Sequence, residues 1–164
     1  MSLTIPVKEL IQNPGTMKEL TLSHELEYPL GTEIIAVPKG RELSLAVRLE
    51  SVHEGILVTV SGDALADSEC SRCLEPMQED VEIELQELFH YRPEQEDDFV
   101  IVQDRVDLEQ ALIDAVVPNL PLKPLCSEDC PGLCADCGER TDVGTHNHEK
   151  PIDPRFGALR DFGS

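Results

Sequence analysis

Positive charge is scarce in this chain, with 13 Lys and Arg against 33 Asp and Glu and a formal net charge of −20. Such a surface repels phosphate backbones, whereas a protein that neutralises many phosphates carries the opposite balance. Long apolar runs are missing too, and no stretch approaches the roughly 20 residues of a membrane-spanning helix. Residues 1–13 carry charged Lys8 and Glu9 without a long apolar run, so the expectation is a chain with no secretory signal. The expected localisation is therefore cytoplasmic, where thiols stay reduced and structural disulfides are disfavoured. We find no glycine-rich phosphate loop, no internal repeat, and no Ser, His and Asp arrangement suited to nucleophilic catalysis.

What the chain does have is concentrated late. Cys126, Cys130, Cys134 and Cys137 are followed by His146 and His148, and the intervening residues include Pro, Gly, Asp and Glu rather than core formers. Packing does not explain that composition; metal coordination does. Tetrahedral Zn²⁺ takes thiolate sulfur and imidazole nitrogen, and a Cys-x-x-Cys turn lets two sulfurs reach one ion. Gly138 directly after Cys137 suits such a turn, because glycine accepts a positive φ without steric cost. A second Cys-x-x-Cys, Cys70 to Cys73, lies upstream.

These are twice the ligands one tetrahedral site needs. The expected first site is Cys134, Cys137, His146 and His148, a local set that closes a short loop of 15 residues. Cys126 and Cys130 would then meet Cys70 and Cys73, as a second zinc site or a reduced thiol cluster. The rival pairing puts Cys126, Cys130, Cys134 and Cys137 in one site. The histidines and the Cys-x-x-Cys-Gly turn favour Zn²⁺ over an iron–sulfur cluster. With no general base placed beside the cysteines, the expected role of one or two zinc ions is structural and the chain is expected not to be an enzyme. His24, within a strand pattern, and His53, at a turn, are expected not to be ligands.

Acidic charge is uneven. Residues 61–125 hold 17 acidic against 4 basic residues, while residues 1–60 hold 8 against 5. That pole suits a basic protein partner through steering and rejection of wrong contacts, although it also serves solubility.

Apolar alternation predicts strands at Leu20–Leu26, Ile34–Val37, Leu43–Leu49, Ile56–Gly62, Val81–Tyr91 and Phe99–Val102. One or two helical turns are expected at Val7–Ile11, before Asn13-Pro14-Gly15. A main helix is expected from Asp107, with Gln110 as its capping-box partner and Pro118 ending it. A closing helix is expected around Ile152–Leu159, with Asp153 as cap and Pro154 at its first position. The expected fold is α+β: an antiparallel sheet or open barrel of about five to six strands, one main helix and a zinc-held C-terminal segment. The expected division is a core domain at 1–125 and a Cys/His metal-binding tail at 126–164 packed on it.

Several of these features together resemble the bacterial YceD family. They are the Cys70-Ser-Arg-Cys73 turn before a strand, the Asp107 helix, and Asn119-Leu-Pro-Leu running into Cys126-x3-Cys130-Pro-Gly-Leu-Cys134-x2-Cys137-Gly138. The closing Asp153-Pro-Arg-Phe-Gly-Ala-Leu159 adds to the likeness, and Leu10-Ile-Gln-Asn-Pro-Gly15 is similar to actinobacterial-type members. The resemblance implies a cytoplasmic, non-enzymatic factor for accumulation and processing of 23S rRNA and assembly of the large ribosomal subunit. The acidic pole at residues 61–125, and not the resemblance, leads to the expectation that contact with the large-subunit precursor runs through a basic ribosomal protein or assembly factor. Relatives of this type often carry Cys-x-Cys where Thr145-His-Asn-His148 stands here, an exchange that keeps ligand capacity. Other relatives lack the tail cysteines, which implies that the metal is not a centre common to the family. The alternative function is a thiol redox protein or sensor using Cys70 and Cys73, which requires an accessible thiol of low pKa.

Overall fold

Alternation of apolar and polar residues over long stretches makes a sheet with one dry face. In the computed structural model, which describes residues 3–144, 146–148 and 155, β5 (Glu42–Ser51) buries Leu43, Leu45, Val47 and Leu49 while the residues between them stay exposed. Each such side chain contributes about 1.5–3 kcal/mol by leaving water, and a one-residue slip in pairing would turn all four outward. The other elements in chain order are β1 (Thr4–Pro6), β2 (Met17–Glu25), β3 (Leu30–Gly31), β4 (Ile35–Val37), β6 (Gly55–Glu69), β7 (Pro76–His90), β8 (Arg105–Asp107) and α1 (Glu109–Val116).

The main sheet is antiparallel and runs β2-β5-β6-β4-β3, with β7 on the other side of β6. The 15-residue β6 is its axis. Residues Ile56–Asp63 pair β5, Asp67 and Ser68 pair β4, and the whole strand pairs β7 from Gly55↔His90 to Glu69↔Pro76. One strand paired to two short neighbours on one side and a long one on the other curls the sheet into a half-barrel. Its inner face holds Ile56, Val58, Val60, Ile83, Leu85 and Phe89, and α1 closes it with Leu108, Ala111, Leu112 and Val116. The expected α+β fold, with an open antiparallel sheet and one main helix among the described residues, is the fold observed.

The differences are local. Val7–Ile11 is a hydrogen-bonded turn, Leu10 and Ile11 donating to the Val7 carbonyl, and not a helix. The chain before it is β1, which pairs β8 in a separate ribbon through Ile5↔Val106. That pairing draws Asp107 into a strand, so α1 starts two residues later than expected. The capping box does not form: the Asp107 carboxylate accepts from the Glu109 amide at 3.1 Å, and the Gln110 amide donates to Asp114 at 2.7 Å. Phe99–Val102 makes only isolated bridges, Val100 beside His90 and Val102 opposite Arg105, because Gln103 and Asp104 turn the chain with φ of 51° and 59°. The expected helix at 152–159 lies outside the described residues.

Candidate metal centre

The β6–β7 connection is a tight knuckle. Cys70 follows β6, its amide donates to the Glu75 carbonyl at 2.9 Å, and the Leu74 amide donates back to the Cys70 carbonyl at 2.8 Å. The tail repeats this pattern: the Cys134 amide donates to Glu139 at 2.7 Å and the Gly138 amide to Cys134 at 2.8 Å. In both, the residue after the second cysteine is left-handed, Leu74 at φ 59° and Gly138 at φ 74°. Glycine takes that conformation freely, whereas leucine is held in it at a cost of roughly 1–2 kcal/mol. The repeated Cys-x-x-Cys-x-Glu spacing was the available sequence signal for this duplication.

Each knuckle meets a different second pair. Cys70, Cys73, Cys126 and Cys130 bring four sulfurs within 4.8 Å of one another, and Cys134, Cys137, His146 and His148 do the same with two sulfurs and two ring nitrogens. The four tail cysteines are therefore divided between two clusters rather than gathered in one. Cys70 lies 3.8 Å from Cys130 and Cys73 lies 3.7 Å from Cys126, sulfur to sulfur. A disulfide would need about 2.05 Å, and all six cysteines are free. Tetrahedral Zn²⁺, with Zn–S near 2.3 Å and Zn–N near 2.05 Å, sets edges of about 3.8 Å between sulfurs and about 3.5 Å between sulfur and nitrogen. Cys137 Sγ stands 3.5 Å from His146 Nδ1. The donor atoms and their separations fit such an ion in both clusters.

The surroundings suit anionic sulfur. Backbone amides of Cys126, Cys73 and Arg72 point at the Cys70 sulfur and hold its thiol down to about 6 in spite of burial. Amides of Cys137 and Asp136 bring Cys134 to about 6 in the same way. Cys126 is pushed up to about 12 by the thiols of Cys130, Cys73 and Cys70. Without a cation the cluster shares few negative charges, since like charges at this range oppose one another. His146 Nε2 lies 2.8 Å from the carbonyls of Arg140 and Val143, so that nitrogen carries the proton and Nδ1 faces the thiols. A ring oriented through its second nitrogen in this way is a common arrangement around a metal. The rings of His146 and His148 sit 6.0 Å apart.

Two arginines that the sequence reading did not single out join knuckles and tail. Arg72 Nη1 donates to the carbonyls of Glu128 at 2.9 Å and Cys130 at 3.0 Å. Arg140, in the second knuckle's loop, reaches Glu75 of the first at 2.5 Å and also binds Asp142. Backbone bonds run alongside, from Ser71 to Pro124 at 2.8 Å and from Leu133 to Arg72 at 3.2 Å. Gly132, at φ 78°, passes so close that a Cβ would sit 3.2 Å from the Arg72 carbonyl. In the first cluster Cys70, Cys73 and Cys130 are buried beside Met77, Leu125 and Leu133 while Cys126 is exposed, and in the second Cys137 and His148 are exposed. His24 is half-buried in β2 and His53 is exposed at the β5–β6 turn, both outside the clusters.

Uncharacterized proteins of Mycobacterium tuberculosis and Mycobacterium bovis are 40% identical over 166 residues, covering 96% of this chain and 79% of theirs. An uncharacterized protein of Mycobacterium leprae is 37% identical over 164 residues, covering 95% of this chain and 75% of its own. No solved structure matches the chain. The family model described as large ribosomal RNA subunit accumulation protein YceD matches residues 58–163, from near the start of β6 through both knuckles and the tail, and the chain belongs to the YceD family.

Proposed function

We propose that this chain is a non-enzymatic factor supporting 23S rRNA accumulation and processing and large-subunit assembly in the cytoplasm, working through a basic ribosomal protein or assembly factor. The observation that carries the reading is the family match over residues 58–163, whose description names large-subunit ribosomal RNA. No helix among the described residues is long and apolar enough to cross a membrane. The route through a basic protein rests on charge: a chain at −20 is a poor clamp for phosphate and a good attractor of Lys and Arg.

Both clusters enter this reading as structural Zn²⁺ sites. Each has four protein ligand atoms and so leaves no position for a substrate, as in closed structural sites. The ion would supply cross-linking and charge neutralisation, holding residues 126–164 as a tail on a core of residues 1–125. The Leu133 amide donating to the Arg72 carbonyl, and the Arg72 guanidinium donating to the Glu128 and Cys130 carbonyls, support packing of that tail on the core.

Retention of the metal-loaded protein on immobilised subunit precursors, basic ribosomal proteins and protein-free large-subunit RNA, over a range of salt, tests the route. Capture by precursors and by at least one basic protein is expected. Tight binding to naked RNA with a steep salt dependence, and to no protein, sinks it.

A second reading, a thiol redox protein using Cys70 and Cys73, is favoured by the Cys70 thiol lying near 6. Full burial of that sulfur opposes it, because reactive thiols must be reached. Thiol titration of metal-loaded protein separates the two: structural sites conceal their sulfurs, and a redox pair reacts.

A further inference from the structure

The free edge of β7 follows from hydrogen-bond parity. Ser51, in β5, receives the Gly15 amide at its carbonyl and donates its own amide to Thr16, so its peptide groups face β2. Groups alternate along a strand, so the even residues of β5 face β6. Through the unbroken registers Ser44↔Asp63 and Gly62↔Ile83, the odd residues of β7 then face β6 and its even residues face away. His90 confirms the parity: its amide donates to Phe99 at 2.8 Å and its carbonyl accepts from Ile101 at 3.1 Å, both on the far side. From Gln78 to Leu88 the outward amides and carbonyls of the even residues meet no hydrogen-bond partner among the described residues.

Such an edge is a template for another strand. It is long, straight in register and free of proline between Met77 and His90. A groove of ≈ 400 Å³ runs beside it, with Asp80, Glu82 and Glu84 on one side and Ala115, Asn119 and Pro121 on the other. The charge along it has one sign. Asp80, Glu82 and Glu84 are exposed, none has an ion-pair partner among the described residues, and Glu82 stands directly opposite Asp63. Like charges across a ladder are unfavourable, so this row gains most from cations beside it.

Resting on the reading above that the partner is a basic protein, we infer that the β7 edge between Asp80 and Glu84 binds an extended Lys/Arg-rich segment of that partner as an added strand. Peptide groups of the segment pair with those of Asp80, Glu82 and Glu84. Its side chains alternate, every second one lying beside the carboxylates on the outer face and the others pointing into the groove towards Ala115 and Leu120. The recognised pattern is therefore alternation of a basic residue with an apolar one. Pairing with a second copy of β7 would set carboxylate against carboxylate, and residues 149–164 carry as many acidic as basic residues, so neither matches the row.

The test uses the full, metal-loaded chain and a synthetic ten-residue peptide alternating Lys and Val, beside the same peptide with N-methylated backbone amides, which keeps charge and removes donors. Anisotropy gives affinity and amide exchange gives the site. Expected are at least about tenfold weaker binding of the methylated peptide, weaker binding by E82Q/E84Q, and slowed exchange at Asp80, Glu82 and Glu84 with no change at the already paired Val81 and Ile83. Equal binding of both peptides without the even–odd pattern overturns strand addition and leaves the basic-partner reading standing. Binding of neither peptide at low salt overturns both. Slow exchange at the three even amides in the free chain means that the edge is already covered, by the tail or by a second copy, and overturns the inference.

Discussion

Replacing Cys130 with serine should destabilise the whole sheet, whereas replacing Cys137 should not. Cys73 and Cys126, opposed at 3.7 Å, are 53 residues apart in sequence. The chain between them contains β7, β8 and α1. Because only the fold brings these ligands together, metal binding adds directly to folding stability, and holding a loop of that length closed sets the scale of the loss at about 4 kcal/mol. The second cluster joins Cys137 to His146, nine residues apart and outside every strand. Its loss should change sheet stability by no more than about 0.5 kcal/mol, as for a change remote from the core. Urea unfolding followed by the far-ultraviolet signal of the strands, with metal counted per chain, compares the variants with each other and with chelated parent protein. With a slope near 2 kcal/mol per molar urea, Cys130→Ser should lower the midpoint by about 2 M, and chelation should lower it as far. Equal midpoints for both variants, or no effect of chelation on the parent, would refute the cross-link argument.

Arg72→Ala removes two charge-assisted bonds to the carbonyls of Glu128 and Cys130; it should weaken metal retention by the four-cysteine cluster by about 1–2 kcal/mol, read by chelator competition, with the second cluster unchanged. Leu74→Gly relieves a left-handed leucine at φ 59° that is 61% exposed, and should raise the unfolding midpoint by the equivalent of about 0.5–1 kcal/mol; a lower midpoint would mean that the side chain makes a contact worth more than the strain. In metal-free, reduced protein, Cys70 and Cys134 have folded pKa values near 6 against 9.0 without the fold. Their contribution is full above pH 9 and fades as pH falls towards 6, so thermal stability should rise across that window, and a flat or falling profile contradicts the amide-to-sulfur bonds.

The strands of the half-barrel were legible because Leu43 to Leu49 and Val81 to Phe89 alternate over enough residues for burial to override everything else. The grouping of Cys70, Cys73, Cys126 and Cys130 beside Cys134, Cys137, His146 and His148 was one of two readings the sequence left open, the other gathering Cys126, Cys130, Cys134 and Cys137, and only the folded chain brings the first set of ligand atoms together. What escaped depends on partners far away in sequence. Three residues at Thr4–Pro6 form a strand only because Arg105–Asp107 lies opposite, and that same pairing defeats the capping box at Gln110. Arg72 and Arg140 looked like ordinary surface cations, since nothing local announces that Glu128 and Glu75 are their acceptors.

With a metal in the four-cysteine cluster, traction applied to the chain beyond residue 130 follows an unusual path. Force entering at Cys126 and Cys130 passes across the ion to Cys70 and Cys73, at the tip of the β6–β7 hairpin, before it can reach α1 along the backbone. The backbone from Leu74 to Leu125 is bypassed, and its β7 is loaded only through its pairing with β6. A processive unfolding machine working from that side would stall against the central hairpin and meet the helix only after the metal is lost, so the ion sets the order in which the molecule can be dismantled.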